Sequence, residues 1–119
     1  MRAGCASAMA SNKGSAPANA GPESLQLQAL SSTEVRDAVR AGTRTIIIPV
    51  GGTEQNGAHM ALGKHNYRVQ ALAERIAAEL GHTLVAPVVA YVPEGNINPP
   101  TEHMRHAGTI SISEAAFKG

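Results

Sequence analysis

The sequence predicts an α/β fold built on a mostly parallel sheet, and three observations carry that prediction. Thr45 to Val50 is a β-branched apolar run that ends in two glycines. A polar loop and a helix-periodic segment follow it, and then a second apolar run from Thr83 to Val92. The first run does not alternate, which marks a strand covered on both faces. Strand, helix, strand in that order is a crossover unit, expected to be parallel and right-handed.

Residues 1–24 are mostly Ala, Ser, Gly, Asn and Pro with almost no large apolar side chain. Such a segment cannot offset its ordering entropy and reads as a disordered low-complexity tail. Ala18-Asn19-Ala20 has the form of a leader cleavage site, and Arg2-Ala3-Gly4-Cys5 that of a lipoprotein box. Lys13 and its polar neighbours leave no apolar stretch of the kind either signal requires. The expected location is therefore cytoplasmic, or exported if a leader is missing from the start. Residues 25–119 form the foldable part.

Ser31-Ser-Thr-Glu34 opens a helix, with Ser31 as N-cap and Glu34 completing a capping box. Val35, Ala38 and Val39 give it a short apolar stripe, and Gly42 stops it. The strand Thr45–Val50 follows, with Pro49 suited to a strand end. Val69, Leu72, Ala73, Ile76, Ala77 and Leu80 then recur with helical spacing and predict one buried stripe. Asn66 is the expected N-cap of that helix and Gly81 its stop. In the second apolar run Pro87 predicts a bend. Pro93 to Pro100 is rich in turn residues, and Gly108 to Ser113 reads as a short alternating strand. A final helix begins at Ser113 and has made about one turn at Gly119. A single turn is unfavourable alone, so residues 25–119 are expected to be the N-terminal part of a larger domain.

Composition excludes several classes of function. The chain has 119 residues, net charge +1 from 10 basic and 9 acidic side chains, and no Trp. With no basic stripe or aromatic platform, nucleic-acid binding has no support. No apolar run approaches the ~20 residues that span a bilayer. The lone Cys5 cannot form an intramolecular disulfide.

The chemistry concentrates after the first strand, in Gly51-Gly-Thr-Glu-Gln-Asn-Gly-Ala-His59 and on to His65. Ligands in open α/β sheets bind at the carboxyl ends of strands. Glu54 and Asn56 are two apart, so in extended backbone both side chains point one way, ~6.5–7 Å apart. Glu54 offers a hard oxygen ligand and Asn56 a neutral carbonyl oxygen. His65, placed before the predicted N-cap, meets the positive end of the helix dipole, which favours the neutral, metal-binding imidazole. Spacing leaves two readings open: a metal site of Glu54, His65 and, more weakly, Asn56, or plain turn and cap chemistry around Gly51, Gly52, Gly57 and Gly63. Gln55, His59 and His103 are candidates for the pocket or for support around it, with His59 better suited to holding the loop. His103 and His106 lie in a connection that could fold over the site. His82 is read as a surface residue; Lys64 is either a surface charge, the preferred reading, or reaches into the site to neutralise an anionic substrate.

Val50-Gly-Gly-Thr-Glu-Gln-Asn-Gly-Ala-His-Met-Ala-Leu62, then Lys64-His65, and later His103-x-x-His106-Ala-Gly-Thr-Ile-Ser-Ile112 resemble two motifs of the creatininase family of metal-dependent amidohydrolases. The resemblance spans roughly Ser31 to Phe117. It implies a three-layer α/β/α fold, a two-metal centre of Zn²⁺ or Mn²⁺, hydrolysis of non-peptide amide C–N bonds in small, often cyclic molecules, and a homo-oligomer. Glu54 matches a family metal ligand. Asn56 stands where the family has a ligand His, and His65 where it has a bridging Asp. A neutral imidazole normally binds one cation, so a single altered metal site is expected. The remaining family ligands would lie beyond Gly119, so this chain alone is expected to be inactive. The alternative is a non-catalytic binding or scaffold relative that uses the same pocket.

Overall fold

The computed structural model describes residues 22–119; the tail prediction for residues 1–24 and Cys5 falls almost wholly outside them. After a 3-10 turn at Leu27–Ala29, helix α1 spans Ser32–Arg40. Its start is the expected capping box: Ser31 Oγ accepts from the Glu34 amide at 3.3 Å, and Glu34 Oε2 accepts from the Ser31 amide at 2.7 Å. Its end is a Schellman motif. The Thr43 and Gly42 amides bond to the Ala38 and Val39 carbonyls at 3.0 and 3.1 Å, and the motif needs the left-handed φ of 112° that Gly42 supplies.

Strand β1, Thr45–Ile47, pairs in parallel with β2, Thr83–Val85, in the register Thr45↔Thr83, Ile46↔Leu84 and Ile47↔Val85. Helix α2, Lys64–Leu80, is the crossover between them. The parallel unit is therefore as expected, with shorter ladders. Pro87 interrupts the second run, and pairing resumes at the single bridge Val50↔Val89. Val89 donates to the Pro49 carbonyl at 2.9 Å and accepts from the Gly51 amide at 3.0 Å. These bonds carry the two chains side by side past the strand ends, toward Glu54 and Glu94.

Three expectations are corrected. The first strand is not covered on both faces: β2 is buried throughout, but Ile46 and Ile48 are 53% and 64% exposed, because α2 packs on β2 and on the face carrying Ile47. The helix stripe also divides. Ala73 and Ala77 pack with Val85, Leu25 and Ile47 in the core, whereas Leu72, Ile76 and Leu80 are about half exposed or more, at 48%, 50% and 63%. These three lie roughly 100° round the helix from the alanines, on a face with no cover among the described residues. Finally, residues 108–113 form no ladder. Gly108 sits in a turn with φ 90°, and the residues after it make only single bonds, Ile110 donating to the Thr53 carbonyl at 2.9 Å and Ile112 to the Val92 carbonyl at 3.4 Å. Helix α3, Glu114–Lys118, begins where predicted, with Ser113 Oγ accepting from the Ala116 amide.

Candidate metal centre

The backbone that presents Glu54 is fixed from three sides. Asn66 does not cap α2, which starts two residues earlier, with Gly63 at the N-cap and no side-chain cap bond. Its amide is engaged elsewhere: Oδ1 accepts from the Gly52 amide at 2.9 Å and Nδ2 donates to Thr53 Oγ1 at 3.0 Å. Thr53 Oγ1 in turn donates to the Ala90 carbonyl at 3.2 Å. From the third side, the Gln55 amide donates to Thr109 Oγ1 at 3.1 Å. The helix start, the second extended segment and the 108–113 segment thus hold residues 52–55 in place.

Glu54 is buried, and the side chains of His65, His103 and Glu94 converge on its carboxylate. His65, on the first turn of α2, places Nε2 at 2.9 Å from Glu54 Oε1. The same Nε2 is 3.1 Å from Asn56 Oδ1. Both neighbours are acceptors, so the proton sits on Nε2 and is shared between them. Lys64 Nζ donates to Asn56 Oδ1 at 2.9 Å, so the surface reading of Lys64 is corrected. On the other carboxylate oxygen, His103 Nε2 lies 3.4 Å from Glu54 Oε2. His103 comes from a 3-10 turn over Glu102–Arg105, and its Nδ1 faces the Gln55 carbonyl at 3.2 Å. A ring donating from Nδ1 to a backbone carbonyl presents its Nε2 lone pair forward, the arrangement that orients metal-binding histidines.

Glu94 completes the cluster. Burial pushes its carboxyl up to about 7, and the hydrogen bond and negative charge of Glu54 push the same way. Its amide donates to Ser111 Oγ at 2.9 Å. Gly52 leaves room for it: a Cβ there would lie 2.5 Å from Glu94 Oε1. Ligand atoms of Glu54, Glu94 and His103 all lie within 4.8 Å of one another. Two carboxylates and an oriented imidazole form a donor set suited to a hard or borderline divalent cation, and a cation would relieve the opposed lone pairs of Glu54 and His103.

Of the residues singled out from sequence, Glu54, His65, Asn56 and His103 are brought together. Gln55 contributes backbone atoms. His59 is exposed, its ring beside Gly57, and His82 and His106 are also exposed. Glu94 was missed. The one available signal was a carboxylate in the turn-rich segment after the second parallel run, at the end equivalent to that of Glu54.

The fold and cluster define an α/β chain with a carboxylate–imidazole site beyond the carboxyl ends of parallel strands. The chain belongs to the creatininase family: the family model, described as creatinine amidohydrolase, matches residues 28–119. Among curated proteins it is similar to the mycofactocin precursor peptide peptidase of Mycobacterium tuberculosis, with 37% identity over 82 residues, 61% of this chain and 30% of the relative. It is also similar to the 3-dehydro-scyllo-inosose hydrolase of Thermotoga maritima, with 29% identity over 97 residues, 81% of this chain and 29% of the relative. The chain thus spans about 30% of the length of these relatives. Among solved structures, a Zn–Zn form of a creatininase variant superposes with a TM-score of 0.70 at 28% identity, covering 82% of this chain and 37% of the other. A manganese form of creatininase gives 0.65 at 29% identity, with the same coverage. Among the described residues, no helix is long and apolar enough to cross a membrane.

Proposed function

We propose that this chain provides the metal-holding part of a creatininase-family hydrolase acting on an amide C–N bond, with Glu54, Glu94 and His103 taking one zinc or manganese ion. The observation that carries this reading is the convergence of those three ligand atoms within 4.8 Å of one another. A bound cation would polarise a substrate carbonyl and lower the pKa of its water from about 15.7 toward ~7.

The chain's own residues have distinct parts in this reading. The Gln55 carbonyl orients His103, and His65 holds Glu54 by Oε1 so that Oε2 faces the ion. With its carboxyl raised to about 7, Glu94 is protonated below neutral pH and gives up that proton when it becomes a ligand. The residues expected from spacing as ligands, His65 and Asn56, are here assigned to positioning Glu54.

For substrate we favour a small, cyclic, non-peptide amide, in keeping with the family description of creatinine amidohydrolase. A peptide amide is the second reading, favoured by the similarity to the mycofactocin precursor peptide peptidase. Equilibrium dialysis against Zn²⁺ or Mn²⁺ should give one tight equivalent, lost in Glu54→Ala and in His103→Ala; no binding by the unaltered chain would overturn the metal reading. Creatinine and a short peptide, offered to the loaded protein, separate the two substrates. Binding of one of them without turnover is the result expected of this chain alone, and hydrolysis of either would overturn the expectation that it is inactive.

A further inference from the structure

The two oxygens of Glu54 face different chemistry. Oε2 is directed at His103, within the cluster that includes Glu94. Oε1 is directed at a closed network of donors. Asn56 Nδ2 donates to the Glu54 carbonyl at 2.9 Å. That bond fixes which way round the amide lies, so that Oδ1 is turned toward α2. Oδ1 then accepts from Lys64 Nζ at 2.9 Å and from His65 Nε2 at 3.1 Å, which uses both of its lone pairs. The His65 proton is shared with Glu54 Oε1 at 2.9 Å. On this side Asn56 Oδ1 has no lone pair left for a second metal ion, His65 Nε2 carries a proton where a metal would bind, and a positive charge is already there. A creatininase structure to which this chain is similar is a Zn–Zn form, so the difference concerns the number of cations the site takes.

We propose that Lys64, held by Asn56 and flanked by His65, supplies the second positive charge beside Glu54, making the centre a metal–ammonium pair that binds one divalent ion and excludes another. The inference rests on the proposed metal site at Glu54, Glu94 and His103, and adds that this site is mononuclear and why. Lys64 is a positioning residue here: it reaches the ion only through Asn56 and Glu54. An ammonium on a flexible stem is a compact point charge. Replacing it by an uncharged side chain of similar length should free Asn56 Oδ1, and His65 Nε2 can then exchange its proton for a metal. With Glu54 Oε1, these would make a second three-ligand set.

The test is metal stoichiometry, measured on the full 119-residue chain by equilibrium dialysis against Zn²⁺ followed by elemental analysis. The unaltered chain should bind one equivalent. Lys64→Met should bind two, the second more weakly, and Lys64→Arg, which keeps the charge, should return to one. Should Lys64→Met not fold, Lys64→Gln carries the same expectation. Two equivalents on the unaltered chain would overturn the inference and leave the metal site standing, whereas none would overturn the metal site itself. A count that stays at one in folded Lys64→Met or Lys64→Gln would show that the ammonium is not what keeps the second ion out.

Discussion

Gly52 shows how one missing methyl group decides whether two carboxylates can meet. Its φ lies outside the left-handed region, so alanine is permitted by the backbone, but its Cβ would fall 2.5 Å from Glu94 Oε1. The atom it meets is the mobile end of a side chain, so the carboxylate moves and the fold stays. Gly52→Ala should therefore weaken Zn²⁺ binding by about 10–100-fold, the range typical of lost supporting contacts around a metal, while the thermal midpoint stays close to that of the unaltered chain. Unchanged affinity would show that Glu94 is not a ligand. Glu94 also sets a pH dependence. Its folded carboxyl titrates at about 7, above the ordinary 4.5, chiefly through burial and then through Glu54. The folded state thus binds more protons than the unfolded state between those values, so stability of the metal-free chain is full below about 4.5 and falls as pH rises through about 7. Urea midpoints in the presence of a chelator should show that slope, and Glu94→Gln should flatten it. Glu54, Asn56 and His65 were legible because they sit within a few residues of one glycine-rich turn, whose polar content has no bland counterpart elsewhere in the chain. Glu94 was not legible: only the parallel pairing of two extended segments brings it to Glu54, and pairing leaves no local mark on a glutamate beside a glycine.

At the scale of elements, the ends of α1 were read correctly because each end is a local hydrogen-bond problem with few solutions. Ser31 and Glu34 solve one end and Gly42 the other. Ser31→Ala should cost about 1 kcal/mol of stability, the usual price of a lost N-cap, measured by urea unfolding; no shift would mean that the helix start is held by tertiary contacts instead. The same contacts with Ser31 hold the Glu34 carboxyl below its ordinary 4.5. A depressed carboxylate contributes stability above its unfolded value and loses it as pH falls through the folded one, so the cap should weaken only in acid. The start of α2 was misread for an equally physical reason. Asn66 has the right side chain for a cap, but the close approach of residues 51–53 to the helix offers its amide better partners in the Gly52 amide and Thr53 Oγ1. Propensity sees one segment at a time, and here a second segment wins the hydrogen bonds. The 108–113 segment has the alternation of a strand but lacks a continuous neighbour; its Ile110 and Ile112 amides go to Thr53 and Val92, which belong to two different segments.

For the molecule as a whole, burial and hydrophobicity separate in a way that periodicity alone does not disclose. The pattern on α2 marks alanines and large aliphatics as one stripe, yet the strands accept only the alanines, because close packing of a helix on a two-stranded sheet favours small side chains at the line of contact. The largest fully buried side chains are Leu84 and Val85, both on β2, so this strand carries a core of few members. Two leucines then offer a controlled comparison. Leu84 is 2% exposed and Leu80 63% exposed, and truncation to alanine removes the same atoms from each. Leu84→Ala should cost roughly 2–5 kcal/mol, the range for leucine truncations that leave a cavity, which is a large share of the 5–15 kcal/mol typical of a whole domain. Leu80→Ala should stay within about 0.5 kcal/mol, as surface substitutions do. Urea midpoints at equal protein concentration decide the matter. If Leu80→Ala shifts the midpoint as far as Leu84→Ala, the outer face of α2 is covered in solution; if only Leu84→Ala shifts it, the stability of this chain resides in the β2 layer. That layer also sets the distance between the Glu54 and Glu94 segments, so the Leu84→Ala protein, where it remains folded, should hold Zn²⁺ less tightly than the Leu80→Ala protein.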